Sequence, residues 1–245
     1  MAEGRTLRIV ALYPQLMNIY ADRGNLIVLE RRCRWRGIGF ELRGSGPGER
    51  LPAGADLYYI GGGQDRDQEL CARDLVRLKR DDLAAEIERG AVLLAVCGGY
   101  QLLGHEYRLG DRTLPGAGLV DLSTVREDGP RLIGDAAIEV ELEPGSRRIL
   151  AGFENHGGRT HLGPGARPLG RVLSGHGNNG RDGHEGARVG NVIGTYLHGP
   201  LLPKNAWFAD WLIATALSLE QPLAPLDDRL EDAAHRSALR AAGLA

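Results

Sequence analysis

The chain has 245 residues, of which 42% are hydrophobic, 25% charged and 5% aromatic. This length and apolar content suffice for the core of one large α/β domain or two small ones. Thirty basic against 32 acidic residues give a net charge of −2, which argues against nucleic acid as the main partner. No apolar run approaches the roughly 18 residues that span a bilayer, and the N-terminus lacks an apolar export signal. We therefore expect a cytoplasmic globular protein without a transmembrane segment.

The first half of the chain alternates between apolar runs typical of strands and longer segments with helical spacing. In chain order these are strand 7–12, helix 24–36, strand 39–42, strand 56–60, helix 66–89, strand 91–97 and a helical turn over 98–104. The segment 66–89 is expected to be one long helix, or two helices with a break near residues 80–82. This alternation predicts an α/β fold with a mainly parallel twisted sheet flanked by helices.

The second half of the chain is richer in glycine and less periodic. Residues 138–142 alternate as a half-buried strand does, residues 154–190 indicate short strands and loops, and residues 192–197 predict a last strand. Residues 205–219 predict a helix. Because no repeat or linker interrupts the chain, we predict one domain over residues 1–220 and a helical C-terminal tail over residues 221–245.

The three cysteines are far apart in the sequence and form no CxxC pair, which argues against disulfides and against a metal site. Cys33 and Cys71 lie in helix-like segments and are expected to be packing residues. Cys97 ends the apolar run AVLLAVC and is followed by Gly98 and Gly99. A buried strand, a small-residue turn and a helix start are typical of a nucleophile elbow. A buried, inert cysteine is the alternative, and the double glycine favours the nucleophile.

A thiol nucleophile needs a base, and two of the seven histidines are the best candidates. His198 follows the apolar run VIGTYL, at the carboxyl end of a predicted strand, where catalytic groups of parallel sheets gather. His156, in FENHGGRT, is the second candidate, or a loop histidine that binds backbone. His176 and His184 are expected to be solvated. The glycines 61–63 end another predicted strand, and their N–H groups can form part of an oxyanion hole.

Together these motifs resemble those of class I (triad-type) glutamine amidotransferases, of the cobyric-acid-synthase-like branch. Within that branch they are similar to the small glutaminase subunits of lipid II isoglutaminyl synthase. The segments that carry the resemblance are MNIYADRGN, IGGGQDRDQ, CGGYQLLG, GFENHGGRT, GNN and IGTYLHGPLLPKN, within residues 7–215. The resemblance implies a flavodoxin-like α/β fold and the hydrolysis of L-glutamine.

The resemblance also implies a role for each matched residue. Cys97 would attack the glutamine side-chain amide to form a glutamyl thioester, and His198 would activate the thiol and protonate the leaving ammonia. Backbone N–H groups of Gly62, Gly63 and Gly98 would hold the oxyanion.

Two further positions are implied to bind glutamine. Gln101, one helical turn after Cys97, matches a substrate-facing glutamine of the class; the alternative is a solvated residue at a helix N-terminus. Arg131 aligns with an arginine that binds free glutamine, and a guanidinium suits the α-carboxylate.

One departure concerns the third member of the triad. Most class I domains carry the acid two residues after the histidine, and here that residue is Pro200. Glu154 and Asp22 are candidates within the chain. We hypothesise instead that a carboxylate of a partner subunit completes the site.

The partner implied by the resemblance is a Mur-ligase-like, ATP-using protein (MurT), which amidates D-glutamate of the lipid II stem peptide to D-isoglutamine. We find no P-loop or other nucleotide motif in the chain, so ATP and Mg are expected in the partner. Lipid II would be reached through the partner, at the inner face of the membrane.

Three alternatives stay open at this point. The first is a glutaminase for another acceptor, such as a corrin-ring carboxylate; those enzymes usually carry their synthetase domain on the same chain, for which 245 residues leave no room. The second is a stand-alone cysteine hydrolase of the PfpI type, which shares the elbow. The third is a non-catalytic scaffold, against which the intact Cys97 and His198 argue.

Overall fold

Strands and helices alternate through the first hundred residues, and β-structure dominates the next hundred. The computed structural model describes residues 4–19 and 22–244; residues 1–3, which begin the predicted domain, residues 20 and 21 of the motif MNIYADRGN, and residue 245 lie outside the description. The helices are α1 Arg23–Arg34, α2 Asp65–Asp74, α3 Arg80–Glu88, α4 Gly98–Leu102, α5 Ala206–Ala216 and α6 Arg229–Ala241. The strands are β1 Thr6–Leu12, β2 Gly39–Ser45, β3 Leu57–Ile60, β4 Val92–Val96, β5 Glu106–Leu109, β6 Arg112–Pro115, β7 Leu122–Arg126, β8 Leu132–Glu143, β9 Ser146–His156, β10 Gly158–Leu162, β11 Gly170–Ser174, β12 His184–Glu185, β13 Ala187–Val189 and β14 Val192–Thr195.

The central sheet has six strands in the order β13-β14-β4-β3-β1-β2. All its pairings are parallel except β13 with β14, so the predicted mainly parallel sheet is confirmed. Every residue of β3 and β4 is buried, as expected of strands covered on both faces. Because β4 and β14 are parallel neighbours, the residues that follow them, Cys97 and Tyr196–His198, emerge at the same edge of the sheet.

Two further four-stranded sheets are built from the glycine-rich second half, in the orders β10-β7-β5-β6 and β12-β11-β8-β9. Between residues 132 and 153 the sequence predicted only a short strand over 138–142, with short strands and loops from residue 154 onward. The structure instead pairs β8 with β9 as a long antiparallel hairpin from Leu132–His156 to Glu143–Ser146. Only five of the twelve residues of β8 are buried, and they do not form one continuous run, so most of the strand is not seen in a search for apolar runs.

The helical segment after β3 contains one irregular turn. A π-helical turn, Leu75–Lys79, separates α2 from α3, a few residues before the predicted break. Lys79 is buried there and pairs with Asp74, which also accepts a hydrogen bond from the Tyr13 hydroxyl at 2.8 Å. The widened turn brings the ammonium group of Lys79 back to a carboxylate five residues earlier, which satisfies a buried charge.

The C-terminal segment is attached to the central fold by a buried guanidinium. Arg32 of α1 is 1% exposed and makes bidentate hydrogen bonds of 2.6–2.8 Å to both Asp210 of α5 and Asp228, which precedes α6. The tail is helical over α6, and its division from the rest at residue 220 stays a prediction. Within residues 4–19 and 22–244, no helix is long and apolar enough to cross a membrane.

Arg32→Met is expected to lower the free energy of unfolding by about 3 kcal/mol, because it leaves Asp228 without its cation and Asp210 with Arg36 alone. Urea denaturation of the purified chain measures the loss. The control is Arg34→Met on the same helix, where an exposed guanidinium pairs with Glu30 and removal costs about 0.5 kcal/mol or less. Equal losses of stability in the two variants would contradict the role of Arg32 in attaching the C-terminal segment.

Candidate active site

Cys97 occupies a strained turn between β4 and α4. Its backbone has φ +51° and ψ −107°, a conformation that costs a non-glycine residue about 1–3 kcal/mol. The turn is held on both sides, because the Cys97 N–H donates to the Thr195 carbonyl at 2.8 Å and the Cys97 carbonyl accepts from the Gln101 N–H at 3.1 Å. The side chain is 6% exposed at the N-terminus of a helix, as a nucleophile elbow requires.

The two glycines after Cys97 are required by close contacts. A Cβ on Gly98 would lie 2.2 Å from Gln68 Nε2, and a Cβ on Gly99 would lie 2.7 Å from the carbonyl oxygen of Ile60. The chain therefore turns from β4 into α4 against the end of β3 with no room for a side chain.

The predicted oxyanion hole is only partly supported by the geometry. The Gly62 N–H donates to Asp22 Oδ2 at 2.8 Å, so this amide is already engaged in the structure, and its role in the oxyanion hole stays a prediction. The Gly63 nitrogen lies 2.9 Å from the position that a Cβ on Gly98 would take. The amides of Gly63 and Gly98 are thus neighbours beside Cys97, and they remain the candidates for this role.

Asp22 fastens the segment after β1 to this glycine turn. It is fully buried, and burial raises the pKa of its carboxyl to about 7 against the opposing effect of the Gly62 N–H. Ile19 donates its N–H to the Gly62 carbonyl at 3.2 Å, and the Tyr59 hydroxyl donates to the Asp22 carbonyl at 3.1 Å. Asp22 is therefore used to shape the turn.

His198 follows β14 and is fixed through its backbone. It exchanges two N–H···O hydrogen bonds of 3.0 Å with Phe153 of β9. Burial, followed by the charges of neighbouring His156, Lys204 and Arg131, lowers the pKa of His198 to about 4. At neutral pH the imidazole is therefore uncharged and able to accept a proton.

Glu154 and His156, from the motif FENHGGRT, lie beside His198. His156 donates from Nδ1 to the Gly158 carbonyl at 2.8 Å, and its ring stacks on Tyr196 with centroids 3.5 Å apart. It is thus a backbone-bound histidine, the alternative that the sequence left open. Glu154 is fully buried, and its charge acts to raise the pKa of His198.

His176 is exposed, as predicted, and it also binds Glu154. Its backbone N–H and Nδ1 both lie 2.6 Å from Glu154 Oε1, and the Gly177 N–H donates to Glu154 Oε2 at 3.0 Å. Burial acts to raise the pKa of Glu154, but these hydrogen bonds and His156 keep it below its ordinary value. Glu154 is therefore an ionised carboxylate on β9 that is bound by the loop containing His176 and Gly177.

Gln101 is buried, 4% exposed, so the solvated alternative is wrong. Its Oε1 accepts from Gln68 Nε2 at 2.8 Å, and its Nε2 donates to the Tyr196 hydroxyl at 3.1 Å. That hydroxyl lies 2.6 Å from Thr160 Oγ1. Sequence reasoning missed Gln68, although it ends the quoted motif IGGGQDRDQ, because no spacing reveals that it meets a residue 33 positions later.

Arg131 lies at the edge of the site. It donates from Nε to Asn155 Oδ1 at 2.8 Å and from Nη2 to the Asn155 carbonyl at 2.7 Å. The side chain is exposed, and its charge is close enough to lower the pKa of His198. Arg131 is therefore a cation held near the base and open to solvent, which is the setting an anionic ligand requires.

The other cysteines do not share this environment. Burial raises the pKa of Cys33 and that of Cys71 to about 12, so both thiols stay protonated. Among the residues that the structure describes, no group of three or more His, Cys, Asp or Glu side chains is placed to hold a metal ion.

Comparison with known proteins identifies the family of the chain. Residues 8–206 match the model of the CobB/CobQ-like glutamine amidotransferase domain. The chain is 41% identical over 202 residues to the lipid II isoglutaminyl synthase (glutamine-hydrolyzing) subunit GatD of Staphylococcus aureus N315, covering 82% of this chain and 80% of that protein. It is 37% identical over 213 residues to the GatD subunit of Streptococcus pneumoniae R6, covering 86% and 80%.

More distant similarities extend to multidomain proteins and to a solved structure. A cobyric acid synthase of Rhodobacter capsulatus is 36% identical over 165 residues, which span 62% of this chain and 31% of that protein. A crystal structure of a glutamine amidotransferase from Thermotoga maritima has a TM-score of 0.51 at 17% identity, covers 97% of this chain and 94% of that one, and supports the fold. The predicted resemblance is confirmed: the chain is an enzyme of the CobB/CobQ-like glutamine amidotransferase family.

Proposed function

We propose that the chain hydrolyses L-glutamine through a thioester on Cys97. The observation that carries this is the strained position of Cys97 at the N-terminus of α4. The thiol proton goes to neutral His198, and the sulfur attacks the carboxamide carbon. Collapse of the tetrahedral intermediate breaks the C–N bond, and His198 returns the proton to the leaving ammonia. Water then cleaves the thioester to glutamate.

The amides of Gly63 and Gly98 are proposed to hold the oxyanion of both tetrahedral intermediates. They are adjacent, and Gly98 lies at the first position of α4, where the helix dipole favours negative charge.

We further propose that the ammonia passes to a Mur-ligase-like partner of the MurT type. That partner would use ATP and Mg to activate the α-carboxylate of D-glutamate in the lipid II stem peptide. Two relatives that carry the GatD subunit name, with 80% of each covered by this chain, support this acceptor. The chain would then act in the cytoplasm and reach the inner face of the membrane through the complex.

The mass of peptidoglycan stem peptides from cells depleted of this protein tests the acceptor. Depletion is expected to accumulate the free D-glutamate form, and wild type, but not Cys97→Ala, restores amidation. Unchanged amidation would remove the cell-wall function. The 36% identity to a cobyric acid synthase then favours a corrin-ring carboxylate as acceptor.

We also propose that a carboxylate from the partner completes the triad. Pro200 occupies the usual position of the acid, while Asp22 is engaged by Gly62 and Glu154 by the loop at His176. Glutaminase activity is therefore expected to rise when the partner is added. Full activity in the isolated chain, unchanged by the partner, would refute this proposal.

Arg131→Ala is expected to raise the KM for glutamine roughly 10- to 100-fold with a smaller change in kcat, because a guanidinium–carboxylate pair acts in binding. Steady-state glutaminase assays on the complex measure both constants. Arg147→Ala is the matched control and should leave KM near the wild-type value, because its exposed guanidinium pairs with Glu141 at the turn end of the β8–β9 hairpin. A fall in kcat at constant KM would contradict a role of Arg131 in binding.

A further inference from the structure

Gln68 is a buried amide with an incomplete set of partners. It lies on α2 and is 1% exposed. Its Nε2 donates to Gln101 Oε1 at 2.8 Å. Its Oε1 is buried and has no hydrogen-bond partner among the residues the structure describes.

This arrangement is a poor way to stabilise a core. An unsatisfied buried acceptor is a net cost to folding, and an apolar side chain of the same length would avoid it. The one bond that the amide makes sets the orientation of Gln101. Because Gln68 supplies a donor, Gln101 must turn its oxygen toward α2 and its NH₂ group toward Tyr196.

The contacts of Gln68 are with the elbow itself. Its Nε2 lies 2.2 Å from where a Cβ on Gly98 would be, and its Cγ lies 3.6 Å from the corresponding position on Gly63. The side chain therefore fills the space between α2 and α4. It reaches Gln101 one helical turn beyond the nucleophile.

We propose that Gln68 is a positioning residue for the hydrolysis of glutamine, and that it acts by fixing the orientation of the Gln101 carboxamide. This inference rests on the glutaminase activity proposed above and on the substrate-binding role that the family resemblance implies for Gln101. A free amide can rotate by 180° and exchange its donor for its acceptor. With Gln68 in place, the Gln101 carboxamide is held at both ends, by Gln68 and by the Tyr196 hydroxyl.

The test is a double-mutant cycle on the complex with Gln68→Met, Gln101→Met and the double variant. Gln68→Met is expected to raise the KM for glutamine roughly tenfold, with kcat within about threefold of wild type. If Gln68 acts through Gln101, the double variant loses no more than Gln101→Met alone. In the double variant neither amide remains, and the Tyr196 hydroxyl keeps its 2.6 Å hydrogen bond with Thr160, so a thermal midpoint close to that of the wild type shows that the fold is intact.

Gln64→Met is the matched control, since Gln64 is the exposed residue one turn earlier and makes no side-chain cap hydrogen bond. Its KM should equal that of the wild type. The inference would be overturned if Gln68→Met had the wild-type KM, or if the losses in kcat/KM of the two single variants multiplied in the double variant. In either case, hydrolysis by the wild-type complex would still uphold the proposed glutaminase. An inactive wild-type complex would instead overturn the proposed function and this inference together.

Discussion

Cys97→Ala is expected to lower glutamine hydrolysis on the order of 10⁴-fold or more, because no thioester forms without the sulfur. The purified variant should fold as the wild type does, since the thiol can be removed without changing the backbone turn. Release of ammonia from glutamine by the complex measures the loss. The control is Cys71→Ala, whose buried thiol stays protonated and which should keep glutaminase activity.

Cys97→Gly separates catalysis from strain at the same position. Glycine adopts a φ of +51° freely, whereas alanine keeps the Cβ and with it the strain of the wild type. Both variants should be inactive, but the glycine variant should be more stable than the alanine variant by about 1–3 kcal/mol in urea denaturation. Equal stabilities would show that the elbow holds no strain, and residual activity in either variant would exclude Cys97 as the nucleophile.

The elbow was predictable because every feature that forms it is local in sequence. A fully buried parallel strand requires an uninterrupted apolar run, and β4 has one. A strand-to-helix turn packed against a neighbouring strand requires small residues, and Gly98 and Gly99 supply them. Both requirements determine residue types within a segment of about eight residues, so the sequence indicated the position of Cys97.

The partners around the elbow were not predictable, because they meet through the fold. Gln68 and Gln101 are 33 residues apart, and Asp22 and Gly62 are 40 apart. Each pair joins loops or helices that follow different strands, and periodicity within one element carries no information about which side chain of another it faces. The hydrogen bond that engages the Gly62 amide was not predicted for this reason.

The sheets of the second half were missed for a different physical reason. The hairpin of β8 and β9 pairs a strand of 12 residues with one of 11, but most of its exposed positions are charged and its buried apolar positions are interrupted. Such strands are held by their pairing partners more than by their own burial. The sequence indicated the motif FENHGGRT by resemblance, and only the paired strands explain why Glu154, His156 and the backbone of Phe153 surround His198.

His198→Asn is expected to lower glutaminase activity roughly 10²–10⁴-fold, because asparagine keeps a polar side chain but cannot carry the thiol proton. The pH dependence of the wild type gives a second test of the same role. Burial lowers the pKa of His198 to about 4, and the base works only in its neutral form. As pH falls, protonation removes the base, so kcat/KM should stay level from pH 7 to about 5 and then decline near pH 4. A decline near pH 6.5, the ordinary value for histidine, would show that His198 is solvated in the working enzyme.

Lys204→Met tests the electrostatic contribution to that profile. The Lys204 ammonium is one of the positive charges that lower the pKa of His198, after burial itself. Removing it should raise that pKa and move the acid limb of kcat/KM to higher pH, while the plateau at neutral pH is retained because the imidazole is still uncharged there. Arg131→Gln should shift the acid limb of kcat/KM in the same direction, but it also weakens the proposed binding of glutamine. Lys204→Met therefore gives the cleaner measurement. An acid limb that does not move on removal of either charge would assign the low pKa to burial alone, and an acid limb that vanishes in Lys204→Met would assign the titration to a group other than His198.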